Sequence, residues 1–146
     1  CQDLRNHRKD ITFGADLIVG FPTETDLHFE NTLNLITECK FNNVHFFPFS
    51  PRNKTPAAKM PQVLNSVIKL RMKKAKNFTH SLIKEVAEKK LGENIEILYE
   101  TKDLSYTNNF YKVTVDSKNK KIDKMNGQVI KVKLRSFSNG KFFAEV

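Results

Sequence analysis

Cysteine is scarce: Cys1 and Cys39 are the only two in 146 residues. That excludes a disulfide framework and any cysteine-rich metal site built within the chain, and leaves two free thiols. An apolar run of about 18 residues is also missing, as is a signal-peptide pattern, so no membrane partner is expected and the cytoplasm is the expected compartment. No methionine precedes Met60, and 146 residues leave little room for a large enzyme with its own cofactor cradle. The chain is therefore expected to be a piece of a longer protein. Acidic residues are in deficit, 16 against 25 lysines and arginines, for a formal net charge of +9. Such an excess favours a polyanionic partner through counterion release and steering; the competing reading is a lysine-rich surface that only keeps the protein soluble. Distribution favours the first. Lys69, Arg71, Lys73, Lys74, Lys76, Lys84, Lys89 and Lys90 stand against only Glu85 and Glu88 on one stretch.

The apolar run from Ile11 to Gly20, closed by Gly20-Phe21-Pro22, has the pattern of a buried strand ending in a tight turn. From Asp26 to Lys40 the period changes: Phe29, Leu33, Ile36 and Cys39 recur three or four apart, which predicts an amphipathic helix capped by Thr25 or Asp26. Val44 to Phe49 reads as a second strand. Strand, helix and strand make one βαβ unit with parallel strands, and parallel strands need cover on both faces. One helix covers one face, so the unit requires neighbours that this chain does not supply.

Ser50 to Pro61, with three prolines, reads as a loop at the carboxyl end of the second strand. A long helix follows, with Leu64, Ile68, Ala75, Phe78, Leu82 and Val86 as its apolar stripe and Gly92 as a left-handed cap. At Glu93 the pattern switches to alternation. Ile95, Ile97 and Tyr99, then Tyr111, Val113 and Val115, then Ile130, Val132 and Leu134, then Phe142, Ala144 and Val146 predict four half-buried strands. Asn126-Gly127 and Asn139-Gly140 are turn signals, the second joining the last two strands as a hairpin. The expected fold is therefore α/β followed by β: residues 1–92 as a βα portion with a linker helix, and residues 93–146 as a small antiparallel barrel of the oligonucleotide-binding kind.

Asp16-Leu-Ile-Val-Gly-Phe-Pro-Thr-Glu24, His45-Phe-Phe-Pro-Phe-Ser-Pro-Arg52, Thr55-Pro-Ala-Ala58, Met60-Pro-Gln-Val63 and Arg71 occur in this order. Together they resemble the radical S-adenosylmethionine methylthiotransferases, best the branch that methylthiolates threonylcarbamoyladenosine at C2 beside the tRNA anticodon. The part after Gly92, with Glu100 and Tyr106-Thr-Asn-Asn-Phe-Tyr-Lys-Val113, is similar to the TRAM domain with which these enzymes bind tRNA. The resemblance implies that residues 1–92 are the C-terminal βα units of a TIM-like radical barrel. It also implies S-adenosylmethionine and two four-iron four-sulfur clusters as cofactors of the full-length enzyme. One of those clusters is held by a CxxxCxxC motif. Neither Cys1 nor Cys39 lies in such a spacing, so no metal ligand and no catalytic residue is assigned to this chain. The fragment alone is expected to be inactive unless a separate chain supplies the missing N-terminal part. The sequence departs from the family in two places: Thr23 stands where glycine is frequent, and Asn53-Lys54 where a glycine usually precedes Thr55.

Gly20, Phe21, Pro22 and Glu24 lie at the carboxyl end of a parallel strand, the catalytic face of barrel folds, and the resemblance implies contact with the adenosine part of the cofactor. The plainer reading is a strand-to-helix turn with Glu24 on the helix dipole. Ser50, Arg52 and Thr55 lie beyond the next strand on the same face, where a guanidinium suits a carboxylate or phosphate; otherwise Arg52 is a surface residue. His45, inside an expected buried strand, is read as a core residue, and Cys39 as packing. On the barrel, Lys112, Lys131, Lys133 and Arg135 are the candidates for phosphate contact, with Tyr106, Phe110 and Tyr111 interleaved for base stacking or core. The run from Lys118 to Lys124 is read as a solvated loop, with tRNA contact as the other reading. Two functions are thus in view: the tRNA-gripping C-terminal part of a methylthiotransferase, and a non-catalytic RNA-binding TRAM protein or remnant of a split gene.

Overall fold

The computed structural model describes residues 1–116 and 120–146, which form two compact units, Cys1–Leu82 and Ile83–Val146. A short helix that the sequence patterns did not announce, α1 (Gln2–His7), opens the first unit and buries no residue. The expected βαβ unit follows as β1 (Phe13–Val19), α2 (Asp26–Glu38) and β2 (Phe41–Pro48). The strands pair in parallel, with Leu17 beside Phe46 and Val19 beside Pro48. Thr25 is the cap of α2: its hydroxyl accepts from the His28 amide at 3.2 Å while the Thr25 amide donates to His28 Nδ1 at 3.3 Å, satisfying orphan donors of the first turn.

Alternation along the strands decides what α2 covers. Phe29, Leu33 and Ile36 of α2 pack with Leu17, Val19, Val44 and Phe46, joined by Ala75 and Met72 of the long helix α3 (Asn65–Glu88). Each fully buried side chain of this kind contributes about 1.5–3 kcal/mol. The opposite face of the strand pair is open: Asp16 and His45 are exposed, and Ile18 and Phe47 are 54% and 51% exposed. His45 is thus not a core residue. With period two it falls on the uncovered face, beside Asp16 in the register.

In α3 the buried positions of the first unit are Ile68, Arg71, Ala75 and Thr79. Leu64 and Val86, expected on the apolar stripe, are exposed. In the second unit Ala87 is buried and Ile83 packs against the barrel core. The division between the two compact units accordingly falls inside α3, between Leu82 and Ile83.

The second unit is a closed barrel of five strands in the order β3-β4-β5-β7-β6: β3 (Asn94–Tyr99), β4 (Ser105–Thr107), β5 (Lys112–Asp116), β6 (Gln128–Ser138) and β7 (Lys141–Glu145). Four of these are the expected strands; β4, only three residues long, carries too little alternation to be read. The β6–β7 hairpin turns at Asn139 and Gly140, both at positive φ (51° and 75°), the conformation that favours Asn-Gly. One pairing departs from the expected antiparallel barrel: β5 and β7 run parallel, Val113 beside Phe142 and Val115 beside Ala144. Closing the sheet on itself requires such a seam, since five strands cannot alternate in direction all the way round a barrel. Inward residues fill the barrel, with Ile97, Val113, Val115, Leu134 and Phe142 buried and the Phe142 ring edge-on to Tyr111 and Phe137 at 5.5 and 4.9 Å. The Lys118 to Lys124 run lies partly outside the described residues; Lys120–Met125 form a short 3-10 helix whose Ile122 enters the core. Among the described residues no helix is long and apolar enough to cross a membrane.

Candidate functional site

The turn after β1 is built around Gly20. Its φ is +79°, and a Cβ added there would lie 2.4 Å from Ile68 Cγ1 and 2.6 Å from Cδ1. Both the left-handed backbone and the close approach of α3 therefore require glycine. The Gly20 amide donates to Glu24 Oε2 at 3.0 Å. The same oxygen accepts from Arg71 Nη1 at 2.6 Å, while Arg71 Nη2 donates to Asp26 Oδ1 at 2.7 Å and Nη1 also reaches the Glu24 carbonyl at 3.1 Å. Arg71 is 7% exposed. Burial opposes its charge, but the hydrogen bonds to Asp26 and Glu24 outweigh burial and its pKa is raised above the ordinary arginine value. Glu24 thus does more than favour a helix dipole: it bridges the turn to α3.

Around this clamp, Pro22 is buried, Thr23 sits at φ +68° with its amide donating to the Pro61 carbonyl at 3.2 Å, and the exposed Phe21 ring meets Phe49 edge-on at 5.3 Å. The Phe49 amide donates to the Val19 carbonyl at 2.8 Å. The segments leaving β1 and β2 are therefore held side by side at the carboxyl ends of both strands. Ser50 and Arg52 are exposed in the second segment. The Thr55 hydroxyl, by contrast, is turned inward on its own loop, donating to the Arg52 carbonyl at 2.8 Å and accepting from the Ala58 amide at 3.4 Å. It caps the short 3-10 helix Pro56–Lys59. Lys54 is at φ +70°, so Thr23 and Lys54, which fall where the resemblance leads to the expectation of a glycine, both hold the left-handed backbone for which glycine is the default. Arg71 stands among the residues that carry the resemblance and among the cations of a basic helix, but its burial has no signal in the local pattern, because its partners lie 47 and 45 residues away. Cys39 is half-buried at the end of α2, where its carbonyl accepts from Arg5 Nη2 at 2.6 Å.

On the barrel, Lys112, Lys131 and Arg135 are exposed and Lys133 half-buried, all on the outer face. The structure does not gather them in one cluster. Lys131 and Lys133 follow one another on β6, Arg135 forms an ion pair with Glu145, and Lys112 sits on β5 beside Lys141. Among the described residues Lys112, Lys131 and Lys133 enter no ion pair, which leaves their charge available. Lys141 escaped the sequence reading; it lies over the Phe143 ring at 5.5 Å. Of the three aromatics, Tyr111 is buried, Tyr106 half-buried and Phe110 exposed.

No model of a known protein family matches the chain. It is similar to the threonylcarbamoyladenosine tRNA methylthiotransferase MtaB of Rickettsia prowazekii, with 42% identity over 116 residues, 80% of this chain and 28% of the relative. It is also similar to two tRNA-2-methylthio-N(6)-dimethylallyladenosine synthases. That of Orientia tsutsugamushi is 34% identical over 99% of this chain and 33% of the relative. That of Ehrlichia ruminantium (strain Gardel) is 41% identical over 66% of this chain and 22% of the relative. The chain spans a third or less of the length of these relatives.

Proposed function

Since the chain belongs to the radical S-adenosylmethionine tRNA methylthiotransferase family, we propose that it serves such an enzyme as a tRNA-gripping barrel joined to a βα segment of the catalytic domain. The single observation that carries the first half is the closed five-strand barrel whose outer face presents Lys112, Lys131 and Lys133 free of ion pairs among the described residues. Lysines on a rigid sheet neutralise phosphates without reading sequence. Arg135, engaged by Glu145, contributes less.

For the second half, the open face of β1 and β2 and the paired loops at their carboxyl ends support a place in a larger barrel wall. The Gly20-Phe21-Pro22 turn with Glu24, and Ser50 with Arg52, would hold S-adenosylmethionine there: the clamped backbone for the adenosine, the guanidinium for the methionine carboxylate. Thr55 takes part through its hold on the Arg52 carbonyl. Bound, that molecule supplies the methyl group and the radical initiator. A cluster does not fit this chain. Cys1 and Cys39 are its only thiols, and among the described residues no three His, Cys, Asp or Glu side chains come together to hold a metal ion. The substrate proposed is threonylcarbamoyladenosine, on the strength of the motif order and of the 42% identity to MtaB.

Lysine footprinting tests the grip. Reductive methylation of the full chain with and without tRNA, read by mass spectrometry, is expected to show Lys112, Lys131 and Lys133 protected by tRNA and Lys9 and Lys59 unchanged. Equal protection of all lysines, or of none, would refute it.

A further inference from the structure

Phe110 has no structural reason to be aromatic. The residue is 81% exposed and its backbone is at φ +60°, a conformation that costs a bulky residue about 1–2 kcal/mol and that asparagine or glycine would adopt more easily. The turn nevertheless holds it firmly. The Phe110 amide donates to the Thr107 carbonyl at 2.9 Å, the Thr107 amide to the Tyr111 carbonyl at 3.0 Å, and the Tyr111 amide to the Thr107 hydroxyl at 3.1 Å.

The ring lines a groove on the outer face of the barrel with Leu98, Tyr106 and Val129. These three are cross-strand neighbours, Tyr106 beside Leu98 and Leu98 beside Val129, and Lys112 continues the row beyond Tyr106. Leu98 is 41% and Val129 65% exposed. On β6 the next outward residue after Val129 is Lys131, opposite Glu96. An apolar strip with a lysine at either margin and a preordered aromatic above it matches an unpaired nucleobase whose flanking phosphates reach the lysines. Glu96, Glu100 and Asn108 also line the groove. The two glutamate carboxylates repel phosphate from its floor, while they and the Asn108 amide oxygen can accept hydrogen bonds from exocyclic amino groups, which favours a base over backbone in this place.

We propose that Phe110 is a stacking platform for an unpaired base of tRNA. This rests on the tRNA-binding reading of the barrel and adds to it a contact that phosphate neutralisation does not require.

The test compares the full chain with Phe110→Ala, Phe110→Trp and Lys131→Gln for binding to a tRNA transcript and to an RNA duplex of equal charge, over a range of salt. Phe110→Ala is expected to weaken tRNA binding roughly 5- to 100-fold with no change in the salt slope, and Phe110→Trp to restore it. Duplex binding is expected to stay unchanged, and Lys131→Gln to lower the slope. Because the ring is exposed, a preserved circular dichroism spectrum is expected for Phe110→Ala. Tight tRNA binding by the parent chain that Phe110→Ala leaves within twofold would overturn the stacking proposal alone. Absence of tRNA binding by the parent chain would overturn the underlying reading as well. A self-association lost in Phe110→Ala with tRNA affinity intact would reassign the groove to a second copy of the chain.

Discussion

The Glu24 carboxylate accepts from the Arg71 guanidinium at 2.6 Å and, through the same oxygen, from the Gly20 amide at 3.0 Å. One buried ion pair thus sets the path of the turn that follows β1. Removing one member of a buried pair strands the other. Arg71→Met is expected to destabilise the first unit by about 3 kcal/mol, seen as faster hydrogen exchange in β1 and α2 with the barrel amides unaffected. Uniform exchange in both units, or none above parent, would contradict it. Arg71→Lys keeps the charge but cannot bridge Glu24 and Asp26 in the same geometry, and is expected to fall between the two. Since the pKa of Arg71 is raised, the pair's stabilisation is complete below the unfolded-state value and is lost only on passing the raised folded value. No loss from arginine titration is therefore expected anywhere between neutral and pH 11.

Gly20→Ala meets both a left-handed backbone and Ile68 at 2.4 Å. A cost of about 3 kcal/mol is expected, from roughly 1–2 for the conformation and 1–3 for overpacking. Pairing it with Ile68→Ala relieves the contact but not the backbone, so exchange rates in β1 should recover only in part. Full recovery would show that the conformation is not strained.

Thr23 and Lys54 carry positive φ without being glycine (68° and 70°). Thr23→Gly and Lys54→Gly are each expected to stabilise by about 0.5–1 kcal/mol, the relief of backbone strain being partly offset by glycine's unfolded-state entropy. Thermal unfolding followed by circular dichroism measures the shift; a fall in midpoint for either variant would contradict the strain.

In the barrel, Phe142 is fully buried between Tyr111 and Phe137. Phe142→Ala is expected to cost about 3–5 kcal/mol and to abolish tRNA binding by unfolding the unit. Retained tRNA affinity with an unfolded near-ultraviolet spectrum would place the binding surface outside the barrel.

What the sequence disclosed follows from how local each signal is. The helix α2 and its Thr25 cap, strands β1 and β2, and the Asn139-Gly140 hairpin all rest on spacing within a few residues. The parallel seam of β5 and β7 was not legible, because it joins Val113 to Phe142 across a long loop closure. The short β4 offered only Ser105, Tyr106 and Thr107. At the turn after β1, the position of Gly20 and Glu24 at a strand end is legible in the sequence, but their link to Arg71 is not, because it forms only when the fold brings α3 to the turn. His45 was misplaced because alternation gives the face of a residue, not which face is covered.

The central claim is that the basic outer face of the barrel grips tRNA phosphates, and a salt titration addresses it most directly. For the full chain and tRNA, the logarithm of affinity is expected to fall linearly with the logarithm of salt concentration. Replacing Lys131, Lys133 and Arg135 together by glutamine is expected to reduce the slope by about 2 to 3. Binding that is insensitive to salt, or absent at low salt, would contradict the account.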